Sequence, residues 1–151
     1  MIKHILIKNI ALIDELSIEF YDGFNVLTGE TGAGKSIIID SVNLALGERA
    51  DRDLIKSGKD HARVEVLFSL SNAAKVYDIL TGYGIDPEPD ETLLLTRELT
   101  VQGKNVCRIN GRTVTLSMLR EITRHLVDIH GQHQHQYLLN PESHIEFLDK
   151  Y

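Results

Sequence analysis

The sequence carries one cysteine, three prolines and no apolar run near the roughly 20 residues that a membrane-spanning helix needs. With Cys107 alone, no disulfide can close within the chain, so a disulfide-stapled secreted module is excluded. Positive charge is also short. Lys plus Arg number 16 against 22 Asp plus Glu, a formal net charge of −6, which argues against a protein that coats nucleic acid with its whole surface. The opening Met1-Ile2-Lys3-His4-Ile5 has neither the apolar core nor the cleavage site of a signal peptide. No internal repeat and no low-complexity tract interrupts the chain. These absences predict a reducing, cytoplasmic setting with no membrane partner. What is present is ordinary for one globular domain: 151 residues, 42% hydrophobic and 25% charged, are enough to bury a real core.

The patterning predicts an α/β chain. Two strands are expected over residues 2–20, where Leu16, Ile18 and Phe20 alternate with Ser17 and Glu19. A short strand, Phe24-Asn25-Val26-Leu27, is expected to run into a glycine-rich loop. From Lys35 to Leu46 the residues Ile38, Ile39, Val42, Ala45 and Leu46 recur at helical spacing, and Gly47 suits the stop. Residues 48–60 read as irregular, Val64 to Phe68 as a strand, Asn72 to Leu80 as a short helix, and Asp86 to Glu91 as an exposed loop. Leu93 to Leu95 and Val106 to Ile109 read as strands, the second ending in the tight-turn pair Asn110-Gly111. Thr115 or Ser117 can cap a helix running to about His125. Leu126 to Ile129 reads as a strand, and Asn140-Pro141-Glu142 opens a last helix that is still amphipathic at Tyr151. Residues 1–151 are therefore expected to be a single, truncated domain: a phosphate-loop core sheet flanked by a mainly antiparallel β-subdomain over 1–28 and 61–114.

One motif carries chemistry. Gly29-Glu30-Thr31-Gly32-Ala33-Gly34-Lys35-Ser36 fits the pattern G-x-x-x-x-G-K-[ST] at every fixed position. Its glycines let successive backbone N–H groups converge on phosphate oxygens, and the helix that follows aims its positive end at the same anion. Lys35 is placed to reach the β- and γ-phosphates, and Ser36 to put a hydroxyl on Mg²⁺. A chance match in a chain this long is on the order of half a per cent from average residue usage. The implied cofactors are ATP and Mg²⁺. A complete hydrolytic site also needs a carboxylate at the end of an apolar strand. Asp128 is the one candidate, since Asp40 lies inside the helix after the loop.

Several further segments form a joint pattern. They are Ile5-Leu6-Ile7-Lys8-Asn9-Ile10-Ala11-Leu12-Ile13, the stretch from Asn25 to Ser36, Leu46-Gly47-Glu48-Arg49-Ala50 and Ile109-Asn110-Gly111-Arg112. Leu126-Val127-Asp128-Ile129-His130-Gly131-Gln132-His133-Gln134-His135-Gln136 is the most specific. With these the chain resembles, over essentially its whole length, the N-terminal head lobe of the RecN family of bacterial DNA-repair proteins. That family is similar to the structural-maintenance-of-chromosomes (SMC) ATPases. The resemblance implies an α/β P-loop NTPase fold of the ABC-head type, here its N-terminal lobe with a mainly antiparallel β-subdomain. It implies that a C-terminal lobe, joined through a coiled coil, completes the head, and that two heads sandwich ATP. The signature loop and the Asp–Glu pair, both missing from this sequence, would then belong to that other lobe. It maps the family's Q-loop glutamine, a ligand of Mg²⁺ or of the attacking water, onto Gln132, with Gln134 and Gln136 as neighbouring alternatives. Its implied partners are the C-terminal lobe and coiled coil, a second copy of the head, and DNA through the full-length protein, which would be nucleoid-associated. Catalysis would rest on Lys35 and Gln132. The alternative is a stand-alone P-loop enzyme, such as a small-molecule kinase, with Asp128 as its magnesium ligand.

Two charged or ligating clusters remain. His125, His130, His133, His135 and His144 crowd the C-terminal end without a cysteine partner, which favours a polar segment over a metal site. Arg49 and Arg52 sit among acids just after the P-loop helix, either as a self-paired surface or near the nucleotide. Between Arg97 and Arg124, six cations face only Glu98 and Glu121, the one net-basic stretch and the candidate for DNA phosphates.

Overall fold

The computed structural model describes residues 1–29, 34–71, 73–86, 90–127 and 129. Six strands are joined edge to edge: β1 (Ile2–Ile10), β2 (Ile13–Glu19), β3 (His61–Ser69), β4 (Thr92–Thr100), β5 (Asn105–Ile109) and β6 (Arg112–Val114). Their order across the sheet is β2-β1-β3-β4-β5-β6, and every pairing is antiparallel. Helix α1 (Lys35–Ala45) lies between β2 and β3 in sequence, α2 (Ala74–Gly82) between β3 and β4, and α3 (Leu116–Thr123) after β6.

Period-two alternation separates the faces, as the sequence pattern requires. Ile5, Val66, Leu95 and Ile109 stand opposite one another across four strands, and all are buried. The next row is Ile7, Val64, Arg97 and Cys107, also buried. Cys107 is thus a core strand residue, as its apolar neighbours suggest. The opposite face carries most of the charged strand residues, with Lys8 and Arg63 side by side in register and an acid beyond each of them. Lys8 meets Glu15 at 3.0 Å, Arg63 meets Glu98 at 3.4 Å, and Arg108 meets the same Glu98 at 2.5 Å. Such half-exposed pairs fix register more than they add stability.

Helix α1 packs on the apolar face against β1, β3 and β4. Its buried residues are Ser41, Val42, Leu44 and Ala45, all in its C-terminal half. The half nearest Gly34 carries no buried residue. Gly47 ends the helix at φ +106°, and a Cβ there would lie 2.7 Å from the Cγ of Arg120. At the other end of the sheet Asn110 and Gly111 take φ of 47° and 75°, the mirror-turn geometry that joins β5 to β6 with the strands' own twist. Thr115 caps α3 by accepting the Met118 N–H at 3.2 Å.

Two expected strands are corrected. Phe24 to Leu27 is irregular, with Phe24 94% and Val26 62% exposed. An apolar run of strand composition becomes a strand only when a neighbour takes its backbone hydrogen bonds, and no described residue does so. Leu126 and Val127 continue the turn that closes α3, with the Leu126 N–H donating to Thr123 O at 3.0 Å. The described strands accordingly make one antiparallel sheet, without a separate core sheet. Asp128 and the helix expected after Asn140 lie outside the described residues.

The Gly47 geometry makes a test. Gly47→Ala meets both a positive φ and the Arg120 stem, so urea unfolding should show a loss of about 1–3 kcal/mol. An unchanged midpoint would mean that this helix end is not tightly docked.

Candidate functional site

The segment leading to the glycine-rich loop is braced locally. Asn25 accepts the Tyr21 N–H at 3.2 Å and returns Nδ2 to Tyr21 O at 2.8 Å, which closes the turn at Gly23. Of the motif itself, Gly29, Gly34, Lys35 and Ser36 are described; Glu30, Thr31, Gly32 and Ala33 lie outside the described residues. Gly34 takes φ +153° with open space around it, so backbone conformation alone reserves the position for glycine. The first helical bond of α1 runs from the Ile38 N–H to Gly34 O at 3.0 Å.

The N-terminus of α1 has no side-chain cap, and its first turn holds no acidic residue. The backbone N–H groups there are without an intrahelical partner, and the helix adds partial positive charge, which is the electrostatic setting an anion needs. The Lys35 ammonium donates to Gly29 O, so the lysine folds back across the loop and joins the two ends of the motif. Ser36 is exposed beside it. This arrangement can present backbone donors, one ammonium and one hydroxyl to a phosphate chain. Asp40 lies on α1, as its place in the helix requires. Gln132, Gln134 and Gln136 lie outside the described residues, as do His130, His133, His135 and His144. Among the described residues no cluster of metal-ligating side chains occurs.

The cationic stretch from Arg97 to Arg124 departs from its expected role at several positions. Arg97 is fully buried. Its Nε donates to Asn105 Oδ1 at 2.7 Å, its Nη2 reaches Glu48 O at 3.5 Å, and its Nη1 has no partner among the described residues. Burial holds its pKa below the ordinary arginine value, partly offset by Cys107, yet a guanidinium stays charged at neutral pH. Arg108 is paired with Glu98, Arg112 donates to Gly84 O, and Arg120 donates to Gly47 O at 2.6 Å. These arginines join elements of the fold instead of forming a bare basic patch. Arg97 was findable: it falls on the same alternating face of β4 as Leu93, Leu95 and Leu99. Arg49 and Arg52 line a surface cleft with Asp51 and Asp53, and the Arg52 guanidinium packs over Gly103.

Comparison with known proteins agrees with this geometry. The family model described as an AAA domain matches residues 4–150. The DNA repair protein RecN of Bacillus subtilis is 46% identical over 151 residues, all of this chain and 26% of that protein. The chain thus spans about a quarter of the length of the curated relatives it matches. The SMC head domain from Thermotoga maritima superposes with a TM-score of 0.62 at 27% identity, covering 80% of this chain and 41% of that one. A chain from a study of ATP-driven dimerization and DNA-stimulated activation of SMC ATPases gives 0.70 at 23% identity, covering 98% and 97%. The fold is therefore that of the N-terminal lobe of an SMC-like, P-loop NTPase head, and the stand-alone kinase reading finds no support among these relatives. Among the described residues no helix is long and apolar enough to cross a membrane.

The loop geometry predicts the outcome of one substitution. Lys35→Ala removes a charge-assisted contact of about 1.5–3 kcal/mol to phosphate, so ATP affinity by calorimetry should fall at least tenfold while the fold persists. Wild-type affinity in that variant would remove the phosphate role from this loop.

Proposed function

The chain belongs to the AAA domain family and matches RecN DNA-repair proteins along its whole length; from this premise we propose that it is the ATP-binding N-terminal lobe of a two-lobed DNA-repair ATPase head. The observation that carries the reading is a complete phosphate-loop motif opening a helix whose N-terminus is uncapped and free of acid. In this reading Gly29, Glu30, Thr31, Gly32, Ala33 and Gly34 cradle the phosphates with backbone N–H groups, and Lys35 neutralises the β- and γ-oxygens. Ser36 holds Mg²⁺, and Gln132 approaches the metal or the attacking water from the segment after α3. Bound Mg²⁺ supplies electrostatic stabilisation of the transferring phosphoryl group.

The whole head is more than this chain. Phe24, Val26 and Leu27 are exposed within residues 24–27, which lead to the loop, and Ile39 is exposed on α1; closely spaced exposed apolar side chains of this size call for cover. We assign that cover to a C-terminal lobe joined through a coiled coil, and the far side of the nucleotide to a second head. DNA then engages the full-length protein, in the cytoplasm and at the nucleoid, and not chiefly this lobe, whose arginines are largely spent on internal contacts.

Hydrolysis needs a water oriented for attack and charge stabilised on the far side of the γ-phosphoryl group. The lobe alone should therefore turn ATP over at background. Mixing it with the C-terminal lobe should restore turnover with a rate rising more steeply than linearly in protein concentration, because two heads must meet. Robust, concentration-independent turnover by the lobe alone would overturn the two-lobe reading.

A further inference from the structure

Three consecutive carbonyls, at the C-cap of α1 and the two residues beyond it, each face a side-chain donor from another element. Thr123 Oγ1 donates to Leu46 O at 2.7 Å, Arg120 Nε to Gly47 O at 2.6 Å, and Arg97 Nη2 approaches Glu48 O at 3.5 Å. Helix α1 has no basic residue of its own in its last turn. Its negative end is instead met by two guanidinium groups borrowed from β4 and α3, which is the favourable placement for cations. Gly47 is what permits the approach, since a Cβ there would collide with the Arg120 stem. The donors are specific in a second way: Arg120 and Thr123 are one turn apart on the last turns of α3, so α3 grips α1 at two adjacent carbonyls.

We propose that Arg120 and Thr123 are positioning residues that couple the phosphate loop to the end of α3. The opposite end of α1 is Lys35, about 16 Å away along an 11-residue helix. That end is held only by the partly buried Ile37 and Ile38 against the core, whereas Ser41, Val42, Leu44 and Ala45 are buried, so α1 acts as a lever held most firmly at its C-terminal half. A phosphate drawn onto the N-terminal N–H groups pulls on the lever, and the pull is transmitted at Leu46 O and Gly47 O to the last turn of α3. The chain leaving α3 leads in sequence to Gln132, assigned above to the metal or the attacking water. The inference rests on that nucleotide-binding reading and adds to it a mechanical link between the two halves of the site.

Thr123→Val removes one donor at nearly constant shape, and Arg120→Met removes the guanidinium while keeping most of the stem. In the full-length protein, amide hydrogen exchange with and without ATP should show nucleotide-dependent protection both at the start of α1 and over residues 124–127. In either variant the protection at α1 should persist and the change over 124–127 should be lost. ATP affinity should stay within about twofold, whereas kcat should fall roughly ten- to a hundredfold, the scale of a small misplacement of catalytic groups. Arg120→Lys, which still offers a cationic donor, should restore part of kcat. A merely structural role would lower stability without separating affinity from kcat. Retention of the 124–127 response in both variants, or its absence in the wild type with α1 protected, would overturn the coupling. Loss of ATP protection at α1 in the wild type would instead remove the nucleotide reading itself, and Lys35→Ala serves as the reference for that result.

Discussion

The constraint on which the rest of this molecule depends is the firm fixing of α1 by its C-terminal half. Its C-terminal half supplies Val42, Leu44 and Ala45 to the core, and the carbonyls of Leu46, Gly47 and Glu48 just past its end are met by side chains from β4 and α3. Burying three such side chains contributes several kcal/mol at about 25 cal/mol per Å². Each cation at a helix C-terminus adds about 0.3–1 kcal/mol, and up to about 2 where partly buried. The N-terminal half contributes only the partly buried Ile37 and Ile38, and leaves Ser36 and Ile39 exposed. A phosphate site needs that asymmetry: the donors must stay open to a ligand, so the stabilising contacts have to be made elsewhere on the same helix.

Arg97 explains why the anchoring is polar as well as apolar. A guanidinium in a row with Ile7, Val64 and Cys107 costs desolvation that an aliphatic residue would not. Its partners are Asn105 on β5 and the carbonyl of Glu48 beyond α1. The charge is therefore tied to a particular relation between sheet and helix, whereas a leucine there would pack equally well against several helix positions. Arg112 and Arg120 serve the same end, docking on the carbonyls of Gly84 and Gly47. Three cations of the net-basic stretch thus meet backbone acceptors and Arg108 meets Glu98, while Lys104 and Arg124 stay exposed.

Much of this was legible in the sequence where the cause is local. Alternation placed β1 to β5, because one face of an antiparallel sheet is buried and the other wet. Gly47, Asn110-Gly111 and Thr115 marked an end, a turn and a cap because each answers a backbone requirement within a few residues. The motif from Gly29 to Ser36 stood out because its spacing is the one a phosphate ligand dictates, and α1 begins at Lys35 where that spacing expects a helix. What was not legible depends on partners distant in sequence. Phe24 to Leu27 has strand composition without a neighbour to pair with, and Leu126 and Val127 have apolar content but complete the turn of α3. Charge counting placed Arg97 on a surface, whereas its register with Leu95 and Leu99 places it in the core. The grip of Arg120 and Thr123 on α1 joins residues more than seventy positions apart, and no local pattern announces it.

The exposed apolar residues complete the physical argument. Phe24, Val26 and Leu27 immediately precede Gly29, and Ile39 lies on the free half of α1. Covering a large apolar side chain is worth about 1.5–3 kcal/mol, so a lobe docking on this cluster gains affinity from the same segment that delivers the chain to the phosphate loop. In the two-lobed reading, docking and nucleotide binding then act on one short stretch of backbone. Any contact that orders residues 24–29 lowers the entropy still to be lost when phosphate is bound. By linkage, phosphate held at α1 strengthens the docking by the same factor. In the two-lobed reading, assembly and nucleotide occupancy would be coupled because the exposed apolar segment runs directly into the loop that precedes the helix end.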